Sequence, residues 1–283
     1  MKTIHIELWE DAEYERRNGF MPNLDVTLLK TGNFEYDPSV PRPARPMVLI
    51  CPGGGYAFTS GREDEPVSTQ FLARGFHTAI LHYSVGGPKY PQQLYDIAKA
   101  MLIIREHAGE WEVNPDQIVV CGFSAGGHEA GMLATMWQEP FLAEHFQTDS
   151  EKFRPNLAIL CYPVITSGSF AHKGSFDNLV GDDEKLREYL SLENRVTEQA
   201  PPVYLWHTST DEGVPVMNTL LFAQALAKHG VNFECHIYPR GAHGLSIATR
   251  EVDNNGRPGY NDPYIAGWVE ECLHFIDYHF KLR

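Results

Sequence analysis

The sequence predicts an α/β protein with a mostly parallel central sheet, an antiparallel edge at the amino end and helices on both faces. Short, continuous apolar runs, such as MVLIC at 47–51 and IVVC at 118–121, are typical of strands buried on both faces. Segments with helical spacing alternate with these runs, as βαβ units require. Because 283 residues, 43% of them hydrophobic, suffice for one core, residues 1–283 are expected to form a single domain.

The first half of the chain supports this architecture element by element. Residues 3–9 and 25–30 are rich in strand formers and predict an early hairpin at a sheet edge. The run 47–51 predicts the first parallel strand, and a glycine loop follows it directly. The acids and proline of EDEP at 63–66 favour the first turn of a helix, and 76–83 is expected to be the next strand.

The alternation continues in the second half. Apolar residues recur at helical spacing over 91–107, and the tripeptide NPD at 114–116 predicts a turn into the strand 118–121. The later elements are expected to be a small-residue helix from 125 to 137, strands at 157–162, 203–207 and 233–238, and helices at 214–229 and 263–280. The polar interval 165–202 is longer than an ordinary connection and predicts a small cap insertion.

Charge and composition exclude several classes of function. The formal charge of −14, from 37 acidic and 23 basic residues, disfavours binding to nucleic acid or to an anionic membrane, so a small-molecule substrate is expected. The histidines and the five cysteines show no metal-ligand spacing, so no metal or cofactor is expected. The cysteines are interpreted as free thiols, mostly buried, and they are Cys51, Cys121, Cys161, Cys235 and Cys272.

The amino-terminal sequence bears on localisation. In MKTIHIELWED, charged and histidine residues interrupt the apolar positions, so no signal peptide is predicted and a cytoplasmic protein is expected. No run reaches the roughly 18 apolar residues of a membrane span. Apolar residues of the early hairpin and the last helix are candidates for a homodimer contact, and the oligomeric state stays open.

The stretch GFSAGG at 122–127 is the strongest sign of chemistry. It matches G-x-S-x-G directly after a predicted strand and before a predicted helix, which is the setting of a nucleophilic serine on a sharp turn. The alternative is that Ser124 merely caps the following helix. Because both glycines and the strand are present, we interpret Ser124 as a nucleophile and Ala125 as the source of a backbone oxyanion donor.

A serine nucleophile needs a base, an acid that orients the base, and a second oxyanion donor. The glycines after the strand 47–51 predict that donor at Gly54 or Gly55. Asp211 follows the strand 203–207 and is the chosen acid, with Glu212, Asp182 and Asp183 as competitors. His243 lies between glycines after the last strand and is the chosen base. The order Ser, Asp, His along the chain is that of an α/β-hydrolase.

From about residue 47 to the carboxyl end, the chain resembles an α/β-hydrolase of the esterase/lipase kind. PGGGY stands in the place of that group's HGGG loop, and GFSAGGH, STDEGVP and GAHGL match its nucleophile, acid and base segments. Within the group, the chain is most similar to acetyl esterases related to acetyl xylan esterase and feruloyl esterase. CPGGGYAFTSGREDEPVSTQFLARGF and YPQQLYDIAKAMLIIREH are its most specific stretches. Pro52 departs from the family pattern, since many relatives have histidine there.

The resemblance implies a serine carboxylesterase that removes short acyl groups, typically acetyl, from sugars or xylo-oligosaccharides through an acyl-enzyme. Tyr56 and His128 lie beside the two loops and are candidate substrate contacts, with core packing as the alternative. An amidase or peptidase is the nearest rival function, because the same residues cleave amides. A non-catalytic ligand-binding protein of the same fold is the second rival.

Overall fold

The computed structural model describes residues 1–12, 14, 20–30, 44–87, 90–253 and 259–282. Within these ranges, eight strands form one sheet in the order β1-β2-β4-β3-β5-β6-β7-β8. The strands are β1 (Lys2–Glu7), β2 (Asn23–Leu28), β3 (Arg45–Cys51), β4 (His77–His82), β5 (Val113–Phe123), β6 (Leu157–Cys161), β7 (Val203–Thr208) and β8 (Phe233–Tyr238).

The sheet is antiparallel at its amino-terminal edge and parallel elsewhere. β1 pairs with β2, and β2 with β4, in antiparallel register, with Ile4 opposite Val26. All pairs from β4 through β3 to β8 are parallel. The predicted fold class is therefore confirmed, and the carboxyl ends of β3, β5, β7 and β8 meet at one edge of the sheet.

Helices cover both faces of the sheet. They are α1 (Glu65–Leu72), α2 (Gln92–Glu106), α3 (Ala108–Trp111), α4 (Ala125–Met136), α5 (Pro140–Phe146), α6 (Lys173–Val180), α7 (Glu184–Tyr189), α8 (Met217–Lys228) and α9 (Trp268–Phe280). Apolar residues of α1 and α9 pack into one buried cluster, whereas those of α2, α4 and α8 pack into the other. Along β3, Val48 and Ile50 belong to the cluster with α1 and α9, whereas Met47 and Leu49 belong to the cluster with α2, α4 and α8. Because both faces of this strand are buried, its sequence is continuously apolar.

Two predicted details differ from the structure. The turn predicted at 114–116 lies inside β5, and the parallel register with β3 shifts between Arg45 and Met47. That irregularity accommodates Pro115, which cannot donate a ladder hydrogen bond. α1 begins at Glu65, because the Asp64 side chain accepts the Glu65 N–H, so Glu63 lies outside the helix.

The predicted insertion 165–202 contains α6, α7 and a 3₁₀ turn at Leu192–Asn194. Leu190 and Leu192 are fully buried, and the Leu190 carbonyl lies 2.9 Å from His128 Nε2 on α4. This segment therefore packs against the body of the protein. The five cysteines are free, as predicted, and all except Cys235 are buried. Among the helices of the described residues, none is long and apolar enough to cross a membrane.

Candidate active site

Ser124 occupies a tight turn between β5 and α4. Its φ of 54° is unusual for a residue with a side chain, and the turn holds it there because the flanking backbone segments approach very closely. A Cβ on Gly122 would lie 2.0 Å from the Gly126 carbonyl oxygen, and a Cβ on Gly126 would lie 2.0 Å from the Cys51 carbonyl oxygen. The two glycines of the motif are thus required by contact between β5, α4 and the end of β3.

The structure brings Ser124, His243 and Asp211 together. Ser124 Oγ lies 2.7 Å from His243 Nε2, and His243 Nδ1 lies 2.7 Å from Asp211 Oδ2. Asp211 follows β7 and His243 follows β8, so the parallel sheet places three distant residues at one edge. With the Nδ1 proton donated to Asp211, Nε2 is the acceptor for the Ser124 hydroxyl, and the chain can pass a proton from serine to imidazole.

The Asp211 carboxylate is held on both oxygens. Its side chain is fully buried, and Oδ1 accepts the N–H groups of Gly213 and Val214, each at 2.8 Å. His207 Nε2 lies 3.3 Å from Oδ2. Burial raises the pKa of the Asp211 carboxyl, but hydrogen bonds from His207 and His243 outweigh it and leave that pKa well below its usual range. Asp211, rather than Glu212, Asp182 or Asp183, is the carboxylate bonded to His243.

The glycine loop after β3 lies against the nucleophile. A Cβ on Gly53 would lie 3.0 Å from Ser124 Cβ. The Gly53 N–H is already used, because it donates to Glu63 Oε2 at 2.8 Å. The oxyanion role that the sequence predicts for the N–H group of Gly54 or Gly55 stays a prediction. Ala125 begins α4, and the first N–H groups of a helix have no partner within it, so its N–H suits the same role.

Glu63 is a site residue that the sequence did not identify. It is 3% exposed, and besides the Gly53 N–H it accepts the Tyr162 hydroxyl proton at 2.6 Å. The Tyr162 oxygen accepts in turn the Ser246 N–H at 2.8 Å, and its ring packs edge-on against His243 at 5.2 Å between centroids. Burial raises the pKa of the Glu63 carboxyl, although its hydrogen bonds oppose this. One carboxylate thus connects the glycine loop to the loop that carries His243.

The charged residues around Glu63 explain why the sequence does not predict its role in the site. In the run REDE at 62–65, the sequence favours a solvated helix start, and this interpretation fits Asp64 and Glu65. Glu63 precedes that start and faces inward. Its separation of ten residues from Gly53 matches no general motif, so the residue types alone did not distinguish Glu63 from the two acids that follow it.

Tyr56 and His128 lie beneath the site. They are 1% and 0% exposed, and the Tyr56 hydroxyl lies 2.8 Å from His128 Nδ1. Burial lowers the pKa of His128 to about 4, so its ring is neutral at pH 7. The structure gives both side chains a packing role under the two loops. Contact with a substrate, which the sequence predicts for them, stays a prediction.

A cavity of about 440 Å³ is lined by residues of the acid and base loops, including His243. Arg240, Glu212 and Asp262 contribute charged side chains to its wall. Asp262 belongs to the loop between His243 and α9, and residues 254–258 of that loop lie outside the described residues. The described part of this loop therefore borders His243.

Comparison with known proteins identifies the family of this chain. The BD-FAE family model matches residues 36–226. The chain is 34% identical over 277 residues, 95% of its length, to an endo-1,4-beta-xylanase B of Butyrivibrio fibrisolvens, and 29% identical over 215 residues, 73% of its length, to an acetylxylan esterase of Xylanibacter ruminicola. It spans only 40% and 42% of the length of these two relatives.

A solved structure gives the same result over nearly the whole chain. An acetyl ester-xyloside bifunctional hydrolase from Caldicellulosiruptor lactoaceticus superposes with a TM-score of 0.79 at 34% identity, covering 97% of this chain and 96% of that one. The family model covers more than half of the chain, and the structural match covers 97% of it. The chain therefore belongs to the BD-FAE family and has the α/β-hydrolase fold.

Proposed function

We propose that this protein is a serine carboxylesterase that hydrolyses short-chain acyl esters, acetyl esters above all, through an acyl-enzyme. The observation that carries the proposal is the chain of two 2.7 Å hydrogen bonds from Ser124 through His243 to Asp211. A hydroxyl is a weak nucleophile at neutral pH, and such a chain is what activates it.

In the first half of the reaction, Ser124 Oγ attacks the ester carbonyl carbon while His243 Nε2 takes its proton. The ionised Asp211 holds the Nδ1 proton in place and stabilises the imidazolium that forms. The carbonyl oxygen becomes negative, and the N–H groups of Ala125 and of Gly54 or Gly55 stabilise it. Because these donors belong to a helix start and a held loop, they need little reorganisation.

In the second half, the carbon–oxygen bond to the alcohol breaks, and His243 donates its proton to the leaving oxygen. The acyl group is then bound to Ser124 as an ester. A water molecule gives a proton to His243 and attacks this ester, which releases the acid and returns the proton to Ser124. The reaction as written needs no metal or cofactor.

We propose acetylated sugars or xylo-oligosaccharides as the substrate class. The names of the relatives support this choice, since two of them carry the words acetylxylan esterase and acetyl ester-xyloside hydrolase. The net charge of −14 also favours a neutral substrate over an anionic one. We place the reaction in the cytoplasm, as the sequence predicts.

The first experiment compares the wild type with Ser124→Ala on p-nitrophenyl acetate and on p-nitrophenyl octanoate. We expect fast hydrolysis of the acetate, slow hydrolysis of the octanoate, and loss of activity by several orders of magnitude in the variant, because its nucleophile is gone. Thermal unfolding of both proteins controls for misfolding. Equal activity of the wild type and Ser124→Ala would refute the proposal.

Two further measurements separate the rival functions. An amidase or peptidase would hydrolyse a matched acyl amide at a substantial rate, whereas a carboxylesterase should hydrolyse the ester and leave the amide almost intact. A non-catalytic protein would bind acetylated sugars in calorimetry without turning them over. The proton-transfer chain at Ser124 favours the esterase over the binding protein.

A further inference from the structure

His172 stands beside the oxyanion loop although it belongs to the insertion between β6 and β7. Its ring carbon Cε1 lies 3.9 Å from the position that a Cβ on Gly55 would take. The helix that follows, α6, reinforces this placement, because Asn178 Nδ2 donates to the Gly55 carbonyl at 2.8 Å. A second aromatic nitrogen base is thus brought to the loop that receives the ester carbonyl.

Charged groups of the candidate site also act on His172. Burial lowers the pKa of His172, and a positive charge on His243 lowers it further, while Asp211 and Asp177 act in the opposite sense. His172 is therefore within electrostatic reach of the base and of the acid. The net lowering of its pKa makes its ring neutral at pH 7.

Hydrogen bonds decide which nitrogen of the neutral ring carries the proton. The Ser175 N–H donates to His172 Nδ1 at 3.3 Å, and Ser175 Oγ lies 2.8 Å from the same nitrogen. Because Nδ1 accepts, the proton resides on Nε2. Among the residues that the structure describes, none forms a hydrogen bond with this Nε2–H, and the side chain is partly exposed. His172 therefore presents a free donor of fixed direction.

The chemistry of an acetyl ester limits what this donor can bind. The carbonyl oxygen is assigned to the N–H groups of the oxyanion hole, and the methyl group offers no acceptor. His243 serves the ester oxygen that leaves. Any further acceptor must therefore belong to the alcohol half of the substrate, as a hydroxyl or a ring oxygen.

We propose that His172 is a substrate-binding residue whose Nε2–H donates to an oxygen of the alcohol half of the ester, so that the site selects esters of polyhydroxy alcohols over hydrocarbon ones. This assignment rests on the proposed function and adds a selectivity residue to it. It also gives the insertion a direct part in substrate recognition.

The test uses two acetates with a six-membered ring, a mono-acetylated methyl xyloside and cyclohexyl acetate, with acid release followed at constant pH. For His172→Phe, kcat/KM on the xyloside should fall about tenfold, the value of one lost hydrogen bond, while kcat/KM on cyclohexyl acetate changes less than about threefold. His172→Gln, which retains a donor nitrogen, should recover part of the loss. His279→Phe, a partly buried histidine on α9, is the matched control and should leave both values unchanged.

The outcomes distinguish the two proposals. An equal effect of His172→Phe on both substrates, or no effect on either, overturns the role of His172 while Ser124→Ala still tests the esterase. If the wild type hydrolyses neither acetate, the proposed function fails, and the assignment of His172 fails with it. Circular dichroism of each variant shows that a lost activity is not lost folding.

Discussion

Glu63 joins three parts of the site through one carboxylate. Its two oxygens accept protons from the Gly53 amide and the Tyr162 hydroxyl, and Tyr162 in turn receives the Ser246 amide near the base loop. A carboxylate is suited to this position because it can accept on both oxygens and donate on neither. The position of the glycine loop relative to Ser124 therefore depends on a residue that does not touch the substrate.

Glu63→Gln tests this positioning role. Glutamine accepts on one atom only, so either the Gly53 N–H or the Tyr162 hydroxyl proton loses its acceptor, and we expect the N–H groups of Gly54 and Gly55 to shift from their places. We expect kcat on p-nitrophenyl acetate to fall about 10- to 100-fold with little change in KM, because oxyanion stabilisation is a transition-state effect.

The matched control is Glu65→Gln, which changes an exposed acid two residues away in the first turn of α1. This variant should retain wild-type kinetics within about twofold. A Glu63→Gln enzyme with unchanged kcat and a raised KM would contradict the positioning role and would point to lost substrate binding instead.

At the level of elements, β3, β5 and α4 meet in the site through direct backbone contact. The α4 backbone at Gly126 lies against the Cys51 and Pro52 carbonyl oxygens, at 2.0 and 2.4 Å from where a Cβ would stand. Neither contact involves a flexible side chain that can move aside. The start of the nucleophile helix is therefore fixed by backbone contact.

Gly126→Ala should consequently lower the free energy of unfolding by about 3 kcal/mol or more, since two backbone segments must separate to admit one methyl group. Gly109→Ala in α3 is the matched control, because nothing lies within 4 Å of its added Cβ. That change should be neutral or stabilising by roughly 0.5–1 kcal/mol. Urea unfolding of the two variants measures the difference, and equal midpoints would contradict the expected steric conflict.

The elements explain what the sequence could predict. Ser124, Asp211 and His243 each follow a strand of a parallel sheet, and strands of this type are readable as apolar runs, so their convergence at one edge followed from topology. The role of Glu63 could not be predicted in this way. It depends on the Glu63 side chain pointing into the protein just before α1, and no apolar pattern in the sequence indicates that orientation. The turn predicted at 114–116 occurs as an irregularity inside β5, because pairing with β3 is interrupted between Val113 and Ile118 and the Asn114 side chain accepts the Asp116 N–H.

On the scale of the whole molecule, Asp96 connects the amino-terminal hairpin to the rest of the fold through hydrogen bonds. This fully buried carboxylate on α2 accepts the Trp9 indole proton at 2.7 Å and the Ser84 amide proton at 2.8 Å. Trp9 lies just beyond β1, whereas Ser84 follows β4. Burial raises the pKa of Asp96 to about 6, against these hydrogen bonds.

The raised pKa predicts how stability varies with pH. An unfolded aspartate titrates near ~3.9, so between about pH 4 and pH 6 the folded state holds the proton that the unfolded state has lost. Protonated Asp96 therefore stabilises the folded state fully below about pH 4. As the pH rises through 6 this stabilisation is lost, and the free energy of unfolding falls by up to about 3 kcal/mol.

Asp96→Asn removes this titration. The free energy of unfolding of the wild type minus that of the variant should therefore become smaller from pH 4 to pH 7, and urea unfolding at several pH values measures it. A difference that stays constant over this range would show that Asp96 keeps an ordinary pKa in the folded protein.

The bond from Asn178 to the Gly55 carbonyl has a consequence for how such proteins diversify. In many scaffolds, a surface insertion can be lengthened, shortened or exchanged while the catalytic framework stays as it was. Here Asn178 of the inserted segment donates to the Gly55 carbonyl, in the loop to which we assign an oxyanion donor, so we expect a change of insertion to alter turnover together with selectivity. If this segment is replaced by that of a relative, the hydrogen bond to the Gly55 carbonyl must therefore be preserved. Without it, we expect the new enzyme to have the altered selectivity but a lower kcat.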